Sequence, residues 1–452
     1  MTRPGRQRLI TDGSLIRGVV TLAGPMFVSS ILQNAQSLID LFWVGRLGSP
    51  SVAALAISGT ALMMLFPAVM GMSTGTVAVV SRCVGGGRID EAECAAGQSL
   101  LAALVIGLVS GAAGWVLASP LCRLLGASGQ VAELAAAYLR VSFLGCFTVF
   151  LLFIGNGAMQ AAGNTVVPMC AMVMANLLNL LLDPVLIFGM FGLPALGVSG
   201  AALATVLSQA AAALFTISRL RAGSAGLRLA GRHWRVEWVM LTRLVRIGVP
   251  SSGQMLSRSL MAMVLMRIVA AHGVAAVSAF GIGSRFHALM LMPSFALGNA
   301  SATMVGQNLG ASRVGRAWRS AWLSLAADLA MLAVCAAGLI GFAPGLVRLF
   351  DANPAVVSVG TDYLRIVTGF YLFAAASIVL GRSLQGAGDT VSPMVTTILG
   401  LWGVQIPLAL ALPRWCEPPT DGIWYATAAA LTVNGLLVLA CFAAGRWTRR
   451  EV

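Results

Sequence analysis

The sequence predicts an all-α integral membrane protein, with twelve transmembrane helices in two pseudo-symmetric lobes of six helices each. Composition is the first reason: of 452 residues, 58% are apolar and only 10% are charged, whereas a soluble domain has about 25% charged residues. Length is the second, because the apolar runs reach the roughly 20 residues that cross a bilayer core. The third is that the first half of the sequence recurs in the second half at a constant offset.

Twelve apolar runs lie between charged or Gly/Pro-rich breaks, and each is predicted to be one span. The predicted spans are 16–44, 52–80, 95–118, 130–158, 165–190, 196–221, 238–270, 275–307, 318–345, 353–386, 391–413 and 422–445. We expect an N-terminal lobe at 16–221 and a C-terminal lobe at 238–445, with a leading segment 1–15, a linker 222–237 and a tail 446–452. The leading segment lacks the apolar stretch of a cleaved signal peptide, so we expect it to be cytoplasmic.

The internal repeat fixes how the two lobes are related. Pro25 in LAGP recurs as Pro250 in IGVP, and VSRCVGGGRIDEA from Val80 recurs as VGQNLGASRVGRA from Val305. MQAAGNTVVPM recurs as LQGAGDTVSPM at the same spacing of 225 residues. Each half has an even number of spans, so both halves start on the same side of the membrane. Parallel repeats of this kind are typical of transporters that work by alternating access.

The positive charge of the chain is an orientation signal. All 29 basic residues are arginines, and the formal net charge is +14. Most of these arginines lie in or beside the connections on the same side as the two termini. Because cytoplasmic connections carry the excess of basic residues, both termini are predicted to be cytoplasmic. This distribution favours a membrane protein without a nucleic-acid partner.

Buried polar residues of the first and fifth spans form the candidate site. Each span has two amides and one acid on one helical face, at spacings i, i+3 and i+7. These residues are Gln33, Gln36 and Asp40 in the first span and Asn176, Asn179 and Asp183 in the fifth. Both spans run in the same direction, and both acids fall in the outer third of the bilayer. We therefore predict that the two carboxyl groups share one pocket, with Gln33, Gln36 and Asn176 lining a substrate cavity.

Two carboxylates in a dry pocket cannot both stay ionised without a cation, because burial and mutual repulsion favour the neutral form. Such a pair can hold a proton, a metal cation or an organic cation, and can release it to a competitor. The alternative is that the two acids only join helices by hydrogen bonds. The equivalent positions of the second half are Leu265 and Leu408, so the ion chemistry is predicted to belong to the N-terminal lobe.

Other polar features of the spans are less informative. Pro25 and Pro250 remove a backbone donor inside a span and are predicted hinges, with a static bend as the alternative. The eight cysteines and three histidines show no metal-ligand spacing, so no metal centre is expected. Arg258, Arg285, His287 and Asp328 also fall in spans, but the sequence assigns them no function.

These motifs together resemble the multidrug and toxic compound extrusion (MATE) transporters. The resemblance rests on the LAGP start, Asp40, VGQNLGA, LQGAGDT and NLLNLLLDP, and it covers about residues 15–445. It implies the MATE/MOP-type fold and the export of organic cations, driven by proton or sodium entry. The prokaryotic DinF-type branch is the most similar, which implies ion coupling at Asp40, Asn179, Asp183 and Thr205. The seventh span has no acid where other branches carry one, with Arg258 near that place, and this favours protons.

We therefore expect a secondary active antiporter of a prokaryotic cytoplasmic membrane, exporting amphipathic and cationic compounds in exchange for protons. Sodium at the same four residues is the alternative coupling ion, and no cofactor is expected. The partners would be small-molecule drugs and the lipid bilayer, and the chain would act as a monomer. Two alternatives remain: a lipid-linked saccharide flippase, suggested by Arg258, Arg285 and His287, and a non-transporting membrane sensor. A membrane enzyme is disfavoured because the sequence has no HExxH motif.

Overall fold

A computed structural model describes residues 10–224 and 226–450. Residues 1–9 of the predicted leading segment, Ala225 of the linker and the last two residues of the tail lie outside the described residues. Within the described part, the secondary structure is helical, without strands. All eight cysteines are free.

Twelve helical spans follow one another, and each overlaps one predicted span. The unbroken spans are α1 (Leu15–Val44), α3 (Ile89–Leu124), α5 (Val166–Phe188), α6 (Val198–Arg221), α7 (Trp238–Ala270), α8 (Val274–Gly310), α9 (Val314–Arg348) and α12 (Pro419–Ala443). The broken spans are α2 (Ser49–Met63 and Phe66–Gly85), α4 (Gly129–Leu144 and Cys146–Ala161), α10 (Pro354–Thr368 and Tyr371–Gly386) and α11 (Val391–Ile398, Leu399–Gln405 and Ile406–Ala411). By length and composition, nine of the described helices, and up to eleven if each bent pair counts as one span, could cross a membrane. The remaining long helix, α7, carries four arginines in its 33 residues. The predicted fold class is confirmed.

The breaks fall in the middle of the spans. In α2 the second segment begins beside Pro67, which cannot donate a backbone hydrogen bond to the preceding turn. The two segments of α4 meet at Gly145 with a bend of 48°, and those of α10 meet with a bend of 52°. In α11 the break is a π-helical stretch, Leu399–Gln405. Broken spans free backbone groups at mid-membrane depth, where transporters place their binding sites.

The two lobes are packed together at one end of the bundle. We call this end, which holds Leu15 and Ala443, the terminal face. The principal contacts between lobes come from the second segment of α2 against α7 and α8, and from α1 against α8. Gly71 and Gly75 of α2 face Gly248 and Ser252 of α7, and a Cβ at either α2 glycine would overlap the α7 backbone. Small residues four apart let two helices approach this closely.

The repeated motif at Val80 and Val305 packs against itself at the terminal face. A Cβ at Gly85 would overlap Gln307, and a Cβ at Gly310 would overlap Arg82. Because Gln307 and Gly310 stand 225 residues after Arg82 and Gly85, this is one contact made twice around a pseudo-two-fold axis. Gln307 also donates to the carbonyl of Ala161 in the other lobe, at 2.6 Å. The motif therefore joins the lobes.

Residues before α1 add a second connection at the terminal face. Arg313 donates to the carbonyl of Thr11 at 2.7 Å and forms an ion pair with Asp12. Arg316 donates to the carbonyl of Ile10 at 3.2 and 3.3 Å. The Thr11 hydroxyl and the Arg313 guanidinium lower the pKa of Asp12 below its usual value. The N-terminal segment is thus fixed to the C-terminal lobe, and the terminal face is closed.

The linker between the lobes is docked onto α3. The side-chain amide of Gln98 donates to the carbonyls of His233 at 3.1 Å and Arg235 at 2.6 Å, and it accepts from the amide of Glu237 at 3.1 Å. The backbone amide of Arg228 donates to Glu93 at 2.7 Å. These contacts hold the linker against the N-terminal lobe.

The two predicted hinge prolines lie inside unbroken helices. Pro25 is in α1 and Pro250 is in α7. The hydroxyl of Ser29 donates to the carbonyl of Pro25 at 2.9 Å. A hinge at these positions therefore remains a prediction.

Candidate functional site

Three helices bring four of the predicted site residues into one cluster. Asn179 and Asp183 stand one turn apart on α5, and the Asn179 amide donates to Asp183 Oδ1 at 3.2 Å. Asn179 also lies 3.4 Å from Thr205 Oγ1 on α6. The same Thr205 hydroxyl lies 3.4 and 3.3 Å from the two carboxyl oxygens of Asp40 on α1. Asn179 and Thr205 therefore connect the two carboxyl groups in one hydrogen-bonded cluster.

The cluster is buried and its polar contacts are loose. Asn179 and Asp183 are fully buried, and Asp40 is 7% exposed. Asp183 Oδ2 and Asn179 Oδ1 have no hydrogen-bond partner among the described residues. The contacts of 3.3 and 3.4 Å at Thr205 are long beside the roughly 2.5–2.7 Å of a hydroxyl bound to a full carboxylate charge. The arrangement leaves acceptor oxygens available to a proton or a small cation.

Asp40 and Thr205 also line a cavity of about 340 Å³ in the N-terminal lobe. The cavity lies beside the break of α2, and Leu62 and Phe66 from the two sides of that break contribute to its wall. Most of its wall is apolar or aromatic. Its polar residues include Gln33, Gln36, Ser37, Tyr138, Ser142 and Gln209. One boundary of the cavity is therefore the acid cluster.

The three amides predicted to line the substrate cavity differ in their positions. Gln33 and Gln36 line the cavity, and Gln36 Nε2 has no hydrogen-bond partner among the described residues. Asn176 is buried on α5, outside the wall of this cavity, and its amide donates to the carbonyl of Met172 at 2.9 Å. A slightly different rotation of α5 about its axis would have been needed to bring Asn176 to the wall.

Tyr138 is a site residue that sequence analysis missed. It is 5% exposed, lines the cavity and lies within electrostatic range of both Asp40 and Asp183. It belongs to the repeated AYLRV segment, whose second copy contains Tyr363. Tyr363 instead packs between Phe280 and Trp424. The signal that could have revealed Tyr138 was its position as the one aromatic residue in an alanine-rich segment on the span facing the acids.

The buried polar groups of the C-terminal lobe are arranged differently. Asp328 is fully buried in α9 and accepts a hydrogen bond of 2.9 Å from Ser294. His287 contacts the hydroxyl of Tyr371 at 3.0 Å. Among the described residues, no group of three or more His, Cys, Asp or Glu side chains could hold a metal ion. The polar chemistry of the two lobes is therefore different.

Comparison with known proteins identifies the family. The profile of the MatE family matches residues 25–185 and again residues 250–411. The two matches begin at Pro25 and Pro250, with the same offset as the internal repeat. The chain belongs to the MatE family. It is therefore a member of the MATE transporters, as the sequence motifs indicated.

Individual relatives of this MATE protein are distant but cover nearly the whole chain. A probable multidrug resistance protein, YoeA of Bacillus subtilis, is 26% identical over 94% of this chain and 93% of its own length. An FAD transporter of Shewanella oneidensis is 28% identical over 94% of this chain and 93% of its own length. One solved structure is described as the outward-facing conformation of a multidrug resistance MATE family transporter of the MOP superfamily. It superposes with a TM-score of 0.89 at 24% identity, and the match covers 98% of this chain and 99% of that one. These likenesses support the twelve-helix fold.

Proposed function

We propose that this MATE protein is a secondary active multidrug antiporter of a bacterial inner membrane, exporting amphipathic and cationic organic compounds in exchange for protons. The observation that carries this proposal is the carboxyl pair of Asp40 and Asp183 at the wall of an apolar cavity. One member, Asp40, is accessible from the cavity, and the other lies behind it. Cargo and proton can therefore compete for the same negative charge.

The cluster gives a simple coupling step. When the pair is deprotonated, its negative charge attracts a cationic cargo into the cavity. When a proton enters, it is shared by Asp40 and Asp183, with Thr205 and Asn179 reorienting their donors, and the attraction for the cargo is lost. A cation is needed to keep two buried carboxylates stable together. Cargo and proton thus replace each other within one site.

The rest of the cavity suits varied amphipathic molecules. Phe66, Phe150 and Phe153 provide aromatic surface, and Met63 and Met172 provide flexible apolar side chains. Methionine and aromatic surfaces adapt to ligands of different shape. Gln33 and Gln36 add hydrogen-bonding groups without a fixed charge. The cavity can therefore select for positive charge and apolar area, with little dependence on exact shape.

The closed terminal face supports alternating access. The positive-inside distribution of arginine makes that face cytoplasmic. With the lobes joined there, the acid cluster and its cavity lie near the opposite ends of α1 and α5. We propose that this conformation receives protons from, and releases cargo to, the outer side. Rocking of the lobes about the pseudo-two-fold seam would then expose the cavity to the cytoplasm.

The test is transport by purified protein in lipid vesicles. Ethidium or a similar cationic dye is placed at equal concentration inside and outside the vesicles, and its accumulation on one side is followed under an imposed pH gradient and, separately, an imposed sodium gradient. We expect dye movement against its own gradient under the pH gradient alone. No movement under either gradient would refute the antiporter proposal. It would favour the non-transporting sensor.

Sodium is the alternative coupling ion. The oxygens of Asp40, Asn179, Asp183 and Thr205 are of the type that hard cations prefer. If a sodium gradient at constant pH drove dye movement, the coupling ion at these four residues would be sodium and not the proton. We favour protons because Asn179 presents its amide nitrogen to both Asp183 and Thr205, which turns a donor toward the place that a metal ion would occupy.

Thr205 offers a matched pair of substitutions. Thr205→Val keeps the shape but removes the hydroxyl between Asn179 and Asp40, and it is expected to lower proton-driven transport about tenfold, since a hydrogen bond to a charged group is worth roughly 1.5–3 kcal/mol. Thr205→Ser keeps the hydroxyl and should remain within about twofold of wild type. The measurement is the initial rate of dye transport in vesicles. Equal rates for the two variants would remove Thr205 from the coupling site.

The two lobes of one chain enclose the cavity, so we propose that the transporter acts as a monomer. Light scattering of the purified protein in detergent measures the mass directly. A mass equal to two chains in fully active preparations would contradict this.

A further inference from the structure

A second, smaller cavity of about 80 Å³ lies between the two lobes. Its walls come from the second segment of α2, from α7, from Phe295 of α8 and from α10. Two arginines line it, Arg258 of α7 and Arg382 of α10. Both side chains are half-buried, and both residues lie inside helical spans. A guanidinium inside a membrane protein is costly and is a candidate functional group.

Neither guanidinium is neutralised by an acid in the described residues. Arg382 donates to Gln385 Oε1 at 3.1 Å and lies 3.4 Å from Thr74 Oγ1. The described ion pairs include neither Arg258 nor Arg382. The two buried acids of this lobe have other partners: Asp328 accepts from Ser294, and Asp389 forms an ion pair with Arg450. The two arginines instead lie within electrostatic range of each other, and Arg258 lies within range of His287.

A network of neutral groups holds Arg382 in place. The amide of Gln254 donates to the carbonyl of Pro393 at 3.0 Å and to Thr397 at 2.8 Å, while Gln385 donates to Gln254 at 2.8 Å. Gln385 in turn positions Arg382. Donors fixed in advance and aimed into a cavity bind a charged group with little reorganisation. Two neighbouring positive charges without a counter-ion would bind an anionic group with charge-assisted hydrogen bonds.

This cavity and the one beside Asp40 lie on adjoining faces of one turn of α2. Val69 lines the cavity beside Asp40, and the next residue, Met70, lines the cavity beside Arg382. Arg258 also stands at the repeat position of Gln33, which lines the N-terminal cavity. The repeat position that contributes an amide to the cavity beside Asp40 thus contributes an arginine to the second cavity.

We infer that Arg258 and Arg382 bind a carboxylate or phosphate group, and that this group belongs to cargo that is anionic or zwitterionic. The cavity has room for one such group, with the remainder of the molecule outside it. The assignment to cargo rests on the proposed transport function, whereas anion binding itself does not. Cargo with both charges could place its cationic part toward Asp40 and its anionic part toward Arg382.

Anion binding is tested by thermal unfolding of the purified full-length protein in detergent. Wild type, Arg258→Gln and Arg382→Gln are melted in sodium chloride, sodium phosphate and sodium benzoate at equal ionic strength. Arg285→Gln serves as the control, because Arg285 is an exposed arginine of α8 outside this cavity. We expect phosphate or benzoate to raise the melting temperature of wild type and of Arg285→Gln by several degrees more than that of the two cavity variants.

The variants should also distinguish an anion site from a structural role. In sodium chloride, removing an uncompensated charge is expected to leave the melting temperature unchanged or higher. An equal phosphate and benzoate response in all four proteins would overturn the inference. The inference would also be overturned if the cavity variants had a much lower melting temperature in chloride and the same response to phosphate and benzoate as wild type.

The source of the anionic group is tested with two dyes and two membranes. Rhodamine 110 has a free carboxylate, and rhodamine 123 is its methyl ester, so fluorescence polarisation of each with purified protein isolates that group. We expect Arg382→Gln to weaken rhodamine 110 binding about tenfold, as for a lost charged hydrogen bond, and to leave rhodamine 123 within about twofold. If only nanodiscs containing phosphatidylglycerol stabilise wild type over Arg382→Gln, the group is a lipid phosphate and the cargo assignment is overturned. Anion binding without any dye movement in vesicles would refute the transport function and leave the anion site standing.

Discussion

Asp40→Asn is expected to abolish proton-driven export while leaving the fold and the cavity intact. Asparagine has the shape of the acid and can still accept from Thr205, which lies 3.3 Å from Asp40 Oδ2. It cannot take up or release a proton. A pH difference of about 1.7 units supplies roughly 2.3 kcal/mol per proton, which sustains about a 50-fold gradient of a monovalent cationic cargo exchanged one for one. The variant should therefore lose a gradient of about that size.

The measurement is the steady-state dye gradient in vesicles with an imposed proton-motive force. Asp183→Asn should have the same effect, since the pair acts as one proton site. Asp328→Asn is the matched control, because Asp328 is as buried as Asp183 but has Ser294 as its hydrogen-bond partner among the described residues, and it should keep a gradient near that of wild type. Full gradients in both Asp40→Asn and Asp183→Asn would place the coupling site elsewhere.

Gly310→Ala is expected to lower transport about tenfold or more by opening the terminal face. A Cβ at Gly310 would overlap the backbone of Arg82 and Gly86 in the other lobe, and overpacking against backbone costs about 1–3 kcal/mol. Neither partner can move away without separating α2 from α8. The closed seam should therefore become the less populated state, and the alternation between states should slow.

Hydrogen exchange measures this opening directly. Backbone amides of 81–88 and 305–312 should exchange faster in Gly310→Ala than in wild type. Gly341→Ala is the control, because a Cβ at Gly341 of α9 meets nothing within 4 Å and alanine favours a helix by up to about 1 kcal/mol. It should transport normally. Unchanged exchange and transport in Gly310→Ala would show that the seam does not gate the protein.

The spans were predictable because their signals are local or periodic. Apolar length marked each span, and the constant offset between Pro25 and Pro250 marked the duplication. The breaks of α2, α4 and α10 were not predicted. Only Pro67 gives a local sign of a break, whereas the bend at Gly145 depends on packing, since a Cβ there would overlap Val206. Such a contact between distant residues has no signature in a single sequence.

The candidate site was predictable to the extent that polarity inside a span is rare. Asp40, Asn179 and Asp183 stood out for that reason, and the structure places them together with Thr205. Tyr138 and Arg382 did not stand out. A tyrosine in a span is usually a packing residue, so Tyr138 gave no sign of a function. Arg382 lies near the end of its predicted span, beside a connection where arginines are expected for orientation. Assigning either residue needed the helix rotations, which periodicity does not fix.

The anchoring of the linker by Gln98 decides where the chain can pivot. Because residues from Arg228 to Glu237 are hydrogen-bonded to α3, we expect this segment to move with the N-terminal lobe as one rigid body. A rotation of one lobe relative to the other would then change the backbone conformation at the start of α7, immediately after Glu237. The segment from Arg228 to Glu237 is thus a rigid part of the N-terminal lobe and not a flexible connection. The two lobes should remain associated even if the backbone were cut near Ser224.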